Sequence, residues 1–462
     1  MRLCWYGDDF TGATDTLAVV AQAGLRTLLF TRVPTPDELA AAGPLDALGI
    51  AGAARAMAPE AMRAELTGVG QFFKSLDAAV VHYKVCSTFD SSAQVGSIGC
   101  AVQTLHPTVD NRWVPMVGGQ PSLGRYCAFS NLFAAAGTGG TVHRLDRHPT
   151  MSRHPVTPMA EADLRVHLAL QGLEGMTALH YPQYQVPPEE LDATLQALQG
   201  KDPQSTLATT LLDLTSPRQL AVVGRLIWQQ AQRQRLLAVG SSAVAQALIA
   251  HWAADASLNT TTASQSAQSV APPFAQTTTQ SASSSRTDRL SPGPVFALAG
   301  SLSPLTARQV QATTSYQRLA VDAMRLARDS GYAQATLASI VAGLRQGRHV
   351  LAHTAPTNGQ PPDVSAAARV ATASTQLVVN VVQAQAEHGT PLHRLGIAGG
   401  DTSSHAVQAL DLWGLSYIGA LCPGVAMTRG HSQDPTRDGM QLMLKGGQMG
   451  GDDLFERLLA YE

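Results

Sequence analysis

The chain has 462 residues, of which 45% are hydrophobic and 14% are charged, so it is long enough to form two or three domains with sizeable cores. Its formal net charge of -2 gives no general attraction to nucleic acid or to anionic membranes, so neither is expected as a partner. The five cysteines include no CxxC pair and no metal-ligand spacing, which is typical of a reducing compartment. No signal-peptide pattern opens the chain and no apolar run is long enough to span a bilayer, so the sequence predicts a cytoplasmic, soluble protein.

Short apolar runs alternate with helical patterns along most of the chain. This alternation predicts an α/β fold in which the sheets are mainly parallel. In the first part of the chain the predicted strands lie at 1–6, 47–51, 78–85, 112–117, 177–180, 209–214 and 236–239. In the last part they lie at 295–299, 319–321, 349–352 and 395–398, and a closing helix is predicted at 452–461. The sequence therefore predicts two α/β domains.

Between these two parts, residues 257–291 change abruptly to Thr, Ser, Gln and Ala with few large apolar side chains. Such a segment cannot bury enough apolar surface to offset the entropy lost on ordering. We interpret it as a disordered low-complexity linker or insertion. The predicted domains are then residues 1–256 and 292–462.

The first candidate site follows the first predicted strand. The residues GDDFTGATD, at 7–15, place Asp8 and Asp9 at the carboxyl end of that strand, where open α/β sheets bind ligands. Thr14 is expected to cap the helix that follows. Two adjacent carboxylates can hold a diol, coordinate Mg²⁺ or act as a base toward a hydroxyl, and Gly12 lets the backbone approach a ligand. An ordinary turn with a capping Asp fits the same spacing.

A second polar cluster is predicted at the end of the strand at 78–85. The segment KVCSTFDSS, at 84–92, supplies Lys84, Ser87, Thr88 and Asp90, although a solvated lysine and a capping Asp are the alternative. A basic loop at 143–154, which ends at His154, is typical of an anion-facing surface, with a solvated loop as the alternative. Its histidine spacing matches no common zinc motif, so a metal is not expected there.

Two glycine-rich turns follow predicted strands in the second domain. In AGGDTSS, at 398–404, Gly399 and Gly400 form the turn, and Thr402 or Ser403 is expected to cap the next helix. Backbone N–H groups at such a helix start can hold phosphate oxygens, although a plain strand-to-helix connection is the alternative. A second turn, KGGQMGG at 445–451, favours a nucleotide site. Neither a Walker A loop nor the GxGxxG fingerprint is present, which argues against a dinucleotide-dependent oxidoreductase.

GDDFTGATD resembles the N-terminal signature of the four-carbon acid sugar kinases. Further blocks resemble that family in the same order, namely KVCSTFDSS, HPVTPM at 154–159, AGSLSPLTARQ at 299–309, AGGDTSS, CPGV at 422–425 and LKGGQMG at 444–450. The resemblance covers the chain from end to end. It implies an ATP- and Mg²⁺-dependent kinase that phosphorylates the terminal 4-hydroxyl of a four-carbon or branched 3-oxo sugar acid. The CSTFDSS spelling favours 3-oxo-tetronate, and the differing neighbourhood leaves 3-oxo-isoapionate open.

The same resemblance implies an acid-sugar domain followed by a nucleotide-binding domain, with the ligand cleft between them. The implied catalytic residue is Asp9, slightly preferred over Asp8 as the base. The expected substrate-binding residues are Thr11, Gly12, Lys84, Ser87, Thr88, Asp90, Arg125 and His154. The expected ATP-binding residues are Ser303 with Ser301, Gly399, Gly400, Asp401, Thr402 and Gly447. The metal ligands are not identified, a homodimer stays open, and the rival function is a non-catalytic sensor of a sugar acid or nucleotide.

Overall fold

A computed structural model of the chain describes residues 1–137, 139–154, 156–200, 206–263, 293–300, 303–354, 364–446 and 449–461. The strands in these residues are β1 (Leu3–Gly7), β2 (Thr27–Phe30), β3 (Ala47–Ala51), β4 (Val80–Lys84), β5 (Trp113–Val117), β6 (Gly119–Gln120), β7 (Arg125–Ala128), β8 (Asn131–Ala135), β9 (Val142–Arg144), β10 (Thr177–Leu179), β11 (Ala208–Leu212), β12 (Leu236–Gly240), β13 (Phe296–Ala299), β14 (Tyr316–Val321), β15 (His349–Thr354), β16 (Arg394–Ala398), β17 (Gly414–Cys422), β18 (Val425–His431) and β19 (Gln441–Lys445). The helices are α1 (Phe10–Gln22), α2 (Pro36–Ala42), α3 (Pro59–Ser75), α4 (Ile98–Leu105), α5 (Leu164–Ala169), α6 (Pro188–Gln199), α7 (Leu220–Ala231), α8 (Ala243–Ala263), α9 (Pro304–Ala312), α10 (Ala323–Arg328), α11 (Ser330–Arg345), α12 (Val364–Glu387), α13 (Gly400–Ala409) and α14 (Leu454–Leu459).

The first part of the chain forms a parallel sheet in the order β10-β11-β5-β12-β4-β1-β3-β2. Strand β1 lies inside this sheet, and all five of its residues are buried. A parallel strand covered on both faces reads as an unbroken apolar run, which is why the sequence predicts β1 and β3 so closely. The carboxyl ends of these strands meet at one edge of the sheet.

The two predicted sheets are joined into one. Strand β17 pairs antiparallel with β2 through Gly414 opposite Phe30 and Leu415 opposite Leu29. The described strands thereby form a fifteen-stranded sheet, which continues through β18 and β19 into the parallel set β16, β13, β15 and β14. The sequence predicts two α/β domains but misses this junction. The junction forms because β2 is the last strand of the first sheet. Its backbone N–H and C=O groups, which would otherwise be unpaired, pair with β17 of the second domain.

Helix α1 packs at the same junction. Its buried residues include Phe10, Ala13, Leu17 and Val20, and the helix contacts β1 to β3 on one side and β17 to β19 on the other. These side chains belong to an apolar core that includes residues of both halves of the sheet. Burial of this apolar face therefore fixes how α1 and its N-terminus sit against the second domain.

A small antiparallel sheet, in the order β6-β7-β8-β9, lies beside the first half. The turn between β7 and β8 contains Phe129 and Ser130, which both have positive φ, at 48° and 67°. The buried Asp213 carboxylate accepts hydrogen bonds from their N–H groups at 2.7 and 3.0 Å. This turn fixes the hairpin that carries Arg125.

The predicted linker is described only in part. Helix α8 continues to Ala263, past residue 257 where the disordered segment is expected to begin. Residues 264–291 lie outside the described residues, so the domain boundaries stay a prediction. Among the helices that the structure describes, none combines the length and apolarity needed to cross a membrane.

Candidate active site

The site begins where β1, β3 and β4 end side by side. Gly7 at the end of β1 is paired with Ala51 on β3 and with Lys84 on β4. The next residue, Asp8, donates its backbone N–H to the Lys84 carbonyl at 3.0 Å. Asp8, Asp9 and Lys84 are each 4% exposed. Strand pairing thus brings two carboxylates and an ammonium group together out of water.

Asp9 is the N-cap of helix α1. Its Oδ1 accepts from the Gly12 N–H at 2.9 Å, and its Oδ2 accepts from the Thr11 hydroxyl at 2.6 Å. The prediction that Thr14 caps this helix is wrong. Thr14 lies inside the helix and donates to the Thr11 carbonyl at 3.0 Å, because the extended backbone of Asp9 already places a carboxylate over the first turn.

Two cations hold the carboxylates. Lys84 Nζ lies 3.5 Å from Asp9 Oδ1 and 3.9 Å from Asp8 Oδ1. Arg55 forms an ion pair with Asp9, and its Nη1 lies 3.7 Å from Asp90 Oδ2. The sequence prediction does not include Arg55. The available signal was its position, because this single arginine follows the predicted strand at 47–51 by four residues.

Asp90 is held by its own loop. The Thr88 hydroxyl donates to Asp90 Oδ1 at 2.6 Å, and Phe89 between them has a positive φ of 55°. The Ser91 hydroxyl donates to the Phe89 carbonyl at 2.8 Å and lies 2.9 Å from His167 Nε2 on α5. This buried network keeps a backbone conformation that bulky residues rarely adopt, and it directs Asp90 toward Arg55.

The carboxylates Asp8 and Asp90 differ in their proton affinity. Burial raises the pKa of Asp8, although Arg55 and Lys84 oppose the effect. Burial also disfavours the charged form of Asp90, but the Arg55 charge and the Thr88 hydrogen bond outweigh it and hold the pKa of Asp90 at about 2. In the described part of the chain, Asp8 Oδ1 is buried without a hydrogen-bond partner. Asp8 is therefore the more basic of the two and is incompletely hydrogen-bonded.

Three other predicted substrate residues lie around this cluster. Arg125 is 8% exposed, donates to the Leu123 carbonyl, and has a buried Nε with no hydrogen-bond partner among the described residues. His154 Nδ1 accepts from the Thr157 N–H at 3.1 Å. Ser87 is half-buried in the loop after β4. The structure thus gathers the predicted residues of the first domain at one edge of the sheet.

The predicted phosphate turn begins helix α13 differently from expectation. Gly399, with φ of 136°, precedes a helix that starts at Gly400, and no side chain caps it. The expectation that Thr402 or Ser403 caps this helix is wrong, since the Ser403 hydroxyl donates to the Ile397 carbonyl at 3.3 Å. Gly399 supplies a conformation that residues with a Cβ rarely adopt, and as a glycine it has no side chain with which to cap the first turn of α13.

The other predicted nucleotide residues are described in part. Ser303 caps helix α9, where its Oγ accepts from the Thr306 N–H at 3.2 Å. Ser301, Gly447 and the side chain of Asp401 lie outside the described residues. The described residues contain no group of three or more His, Cys, Asp or Glu side chains that could hold a metal ion.

The two halves of the candidate site meet at the start of α1 and α13. A Cβ on Gly400 would lie 3.7 Å from Asp9 Oδ2 and 3.9 Å from Arg55 Nη2. The Phe10 N–H donates to the Ser404 hydroxyl at 3.3 Å, which links the two helices directly. The carboxylate cluster of the first domain therefore faces the glycine turn of the second.

This arrangement agrees with matches to two family models. One is described as a sugar-binding N-terminal domain and matches residues 3–248, and the other is described as a nucleotide-binding C-terminal domain and matches residues 296–455. Together they define a protein with a sugar-binding domain followed by a nucleotide-binding domain. The chain belongs to the four-carbon acid sugar kinase family.

Characterised relatives align along nearly the whole chain. The 3-oxo-isoapionate kinase of Paraburkholderia graminis is 34% identical over 98% of this chain and 93% of its own. The 3-oxo-tetronate kinase of Pseudomonas fluorescens is 28% identical over 98% of this chain and 95% of its own. The crystal structure of Haemophilus influenzae protein HI1011 shares the fold, with a TM-score of 0.65 and 21% identity over 99% of both chains.

Proposed function

We propose that this protein transfers the terminal phosphate of ATP to the 4-hydroxyl of a 3-oxo sugar acid, with 3-oxo-isoapionate as the first candidate and 3-oxo-tetronate as the second. The order follows the higher identity to the 3-oxo-isoapionate kinase. The observation that carries the proposal is the approach of Asp9 to Gly400, because it places the acid-rich edge of one domain against the glycine turn of the other. The ligand cleft is then the space between the domains, as the sequence predicts.

The first domain would bind the sugar acid. Arg125 supports this role because its buried Nε lacks a hydrogen-bond partner in the described part of the chain, and a substrate carboxylate would supply one. Thr11, Ser87, Thr88 and His154 lie around the same edge and would bind hydroxyl and oxo groups. Asp90, ion-paired to Arg55, would hold that guanidinium in place.

For the base, the hydrogen bonds favour Asp8 over Asp9, the reverse of the preference from sequence. Both oxygens of Asp9 are engaged, by the Gly12 N–H and Lys84 on one side and by Thr11 and Arg55 on the other. Asp8 has a raised pKa and an oxygen without a partner among the described residues. Asp8 would accept the hydroxyl proton, and Asp9 would orient the cations.

The second domain would bind ATP at the N-termini of α9 and α13, through Ser303 and the turn at Gly399, Gly400, Asp401 and Thr402. Gly447 in the last turn would complete the site. The described residues offer no three-ligand metal cluster there. Mg²⁺ would enter with the phosphates and keep several of its waters.

The test is ADP release by the purified protein with ATP, Mg²⁺ and a panel of four-carbon and branched acids that includes 3-oxo-isoapionate and 3-oxo-tetronate. Mass spectrometry of the product identifies the phosphorylated position. Turnover on one acid, lost in Asp8→Asn, supports the proposal. If ATP and a sugar acid each stabilise the protein against unfolding but no acid in the panel leads to ADP formation, the result would favour a non-catalytic sensor.

A further inference from the structure

Lys445 ends strand β19, and its ammonium group is sealed inside the second domain. The residue is 0% exposed. Its Nζ donates to Thr306 Oγ1 at 3.0 Å, to Gln309 Oε1 at 2.5 Å and to the Met449 carbonyl at 3.3 Å. All three acceptors are neutral, and no carboxylate pairs with Lys445 in the described part of the chain. Such a charge is costly to bury unless something compensates it.

The partners of Lys445 belong to the three segments assigned to the nucleotide. Thr306 lies in the first turn of α9, next to the capping Ser303. Met449 lies in the last glycine-rich turn, two residues after the predicted contact at Gly447. The backbone carbonyl of Lys445 accepts from the Gly399 N–H at 2.9 Å. One residue therefore holds the start of α9, the turn before α13 and the last turn together.

Gln309 reinforces the same connection. It is 0% exposed, and its Nε2 donates to the Met449 carbonyl at 3.0 Å and to the Gly451 carbonyl at 2.8 Å. The amide therefore binds the last turn with its nitrogen and Lys445 with its oxygen. The position of the last turn thus depends on the Lys445 ammonium both directly and through Gln309.

Among the described residues, no carboxylate compensates the buried charge of Lys445. Burial lowers the pKa of Lys445 to about 7, and the thiol of Cys422 on β17 opposes this effect. Two carboxylates flank the last turn, but Asp452 lies 3.3 Å from Arg308 and Asp453 lies 2.7 Å from Arg457 at the surface. A nearby phosphate would favour the charged form of the lysine.

We propose that Lys445 is a positioning residue of the nucleotide site, which fastens its three segments and takes up a proton when the nucleotide phosphates arrive. The inference rests on the proposed function because it requires the nucleotide to bind at these segments. All three N–H donors of Lys445 are already used, so it acts through the Ser303-capped helix and the Gly399 turn. It is not expected to bind phosphate itself.

The proposal fixes the direction of the pH dependence. Without nucleotide, Lys445 loses its proton as the pH rises through about 7. With nucleotide bound, its pKa is higher, so binding above about pH 7 requires proton uptake. Nucleotide affinity is then constant below this pH and weakens above it, by at most about tenfold per pH unit, until the pKa of the bound state is reached.

The experiment is calorimetry of ADP binding at saturating Mg²⁺ and pH 7.5, in buffers with different ionisation enthalpies. The wild type should take up about half a proton or more relative to Lys445→Met. Arg394→Met is the matched control. It removes a buried cation at the opposite end of β16, where the guanidinium donates to Gln441 Oε1 and to the Leu458 carbonyl, and it should keep the wild-type proton uptake.

Equal proton uptake by the wild type and Lys445→Met would overturn the proposal that Lys445 becomes protonated when the nucleotide binds. An unchanged KM for ATP in Lys445→Met would overturn the positioning role, which predicts a rise of about tenfold or more with little change in the KM for the sugar acid. If Lys445→Met does not fold, a wild-type ADP affinity that stays flat from pH 6 to pH 9 overturns the proposal. Failure of the wild type to bind ADP at all would instead overturn the proposed function.

Discussion

Gly12 leaves the space that the ammonium group of Lys84 occupies. A Cβ on residue 12 would overlap Lys84 Nζ, and it would lie 2.5 Å from both Lys84 Cε and Asp9 Oδ1. Lys84 lies between Asp8 and Asp9 because this helix position has no side chain. The glycine of the N-terminal signature is therefore needed for the packing of a cation, and the helix conformation alone does not require it.

Gly12→Ala should displace the Lys84 ammonium from the two carboxylates. We expect kcat/KM for the sugar acid to fall by about 100-fold, because a shift of about 1 Å in a catalytic group has effects of this size. The KM for ATP should stay within about twofold. Gly68→Ala on helix α3 is the control, since a Cβ there meets nothing within 4 Å. Equal activity of both variants would contradict the role given to Gly12.

Arg55→Met should destabilise the fold, because it leaves Asp9 and Asp90 without their shared guanidinium. Removal of one partner from a buried ion pair typically costs about 3–5 kcal/mol in the free energy of unfolding. Urea denaturation of the wild type and of Arg55→Met measures the difference in their free energies of unfolding. Arg26→Met removes an exposed ion pair with Asp46 and should leave the denaturation midpoint unchanged. A midpoint for Arg55→Met equal to that of the control would show that the pair contributes little.

The pH dependence of kcat/KM should report the titration of Asp8. A base must be deprotonated to act, and burial raises the pKa of Asp8 above its usual 3.8. Activity should therefore fall as the pH drops through this raised value, which gives the pH profile an acid limb. The Asp8→Asn variant should lose most of its activity, and its remaining activity should no longer show this acid limb. Asp9→Asn should lower turnover but keep the limb. An acid limb that survives in Asp8→Asn and disappears in Asp9→Asn would reassign the base to Asp9.

Substitutions at Gly400 should separate nucleotide binding from the acid-sugar site. An alanine Cβ there would lie 3.7 Å from Asp9 Oδ2, which is ordinary van der Waals contact, so Gly400→Ala should behave much like the wild type. The larger Gly400→Val should obstruct the turn and raise the KM for ATP by about tenfold or more. By contrast, Asp9→Asn should reduce turnover with only a modest loss of ATP affinity. Equal losses of ATP binding in Gly400→Val and Asp9→Asn would contradict this division of roles.

Much of the sheet can be predicted from the sequence, because strands that are buried on both faces consist of consecutive apolar residues. The predicted strand at 47–51 coincides with β3, and the predicted strand at 395–398 falls within β16. Strand β2 is not among the predicted strands, and the sequence analysis therefore also misses its junction with β17. The capping errors at Thr14 and at Thr402 or Ser403 have another cause. Several polar residues compete for each cap, and the backbone angle that decides between them depends on the folded strand end.

The sequence by itself determined which segments bear the chemistry. The motifs at 7–15 and 398–404 each combine a strand end, a turn and a helix start, which are set by local patterns of apolar and glycine residues. Only the tertiary structure decided how the motifs combine. It brought Arg55 between Asp9 and Asp90, placed Gly400 beside Asp9, and placed the Lys445 ammonium against the neutral Thr306 on α9. These contacts join residues that are far apart in the chain, and they arise from strand pairing and core burial. Local sequence patterns therefore do not predict them.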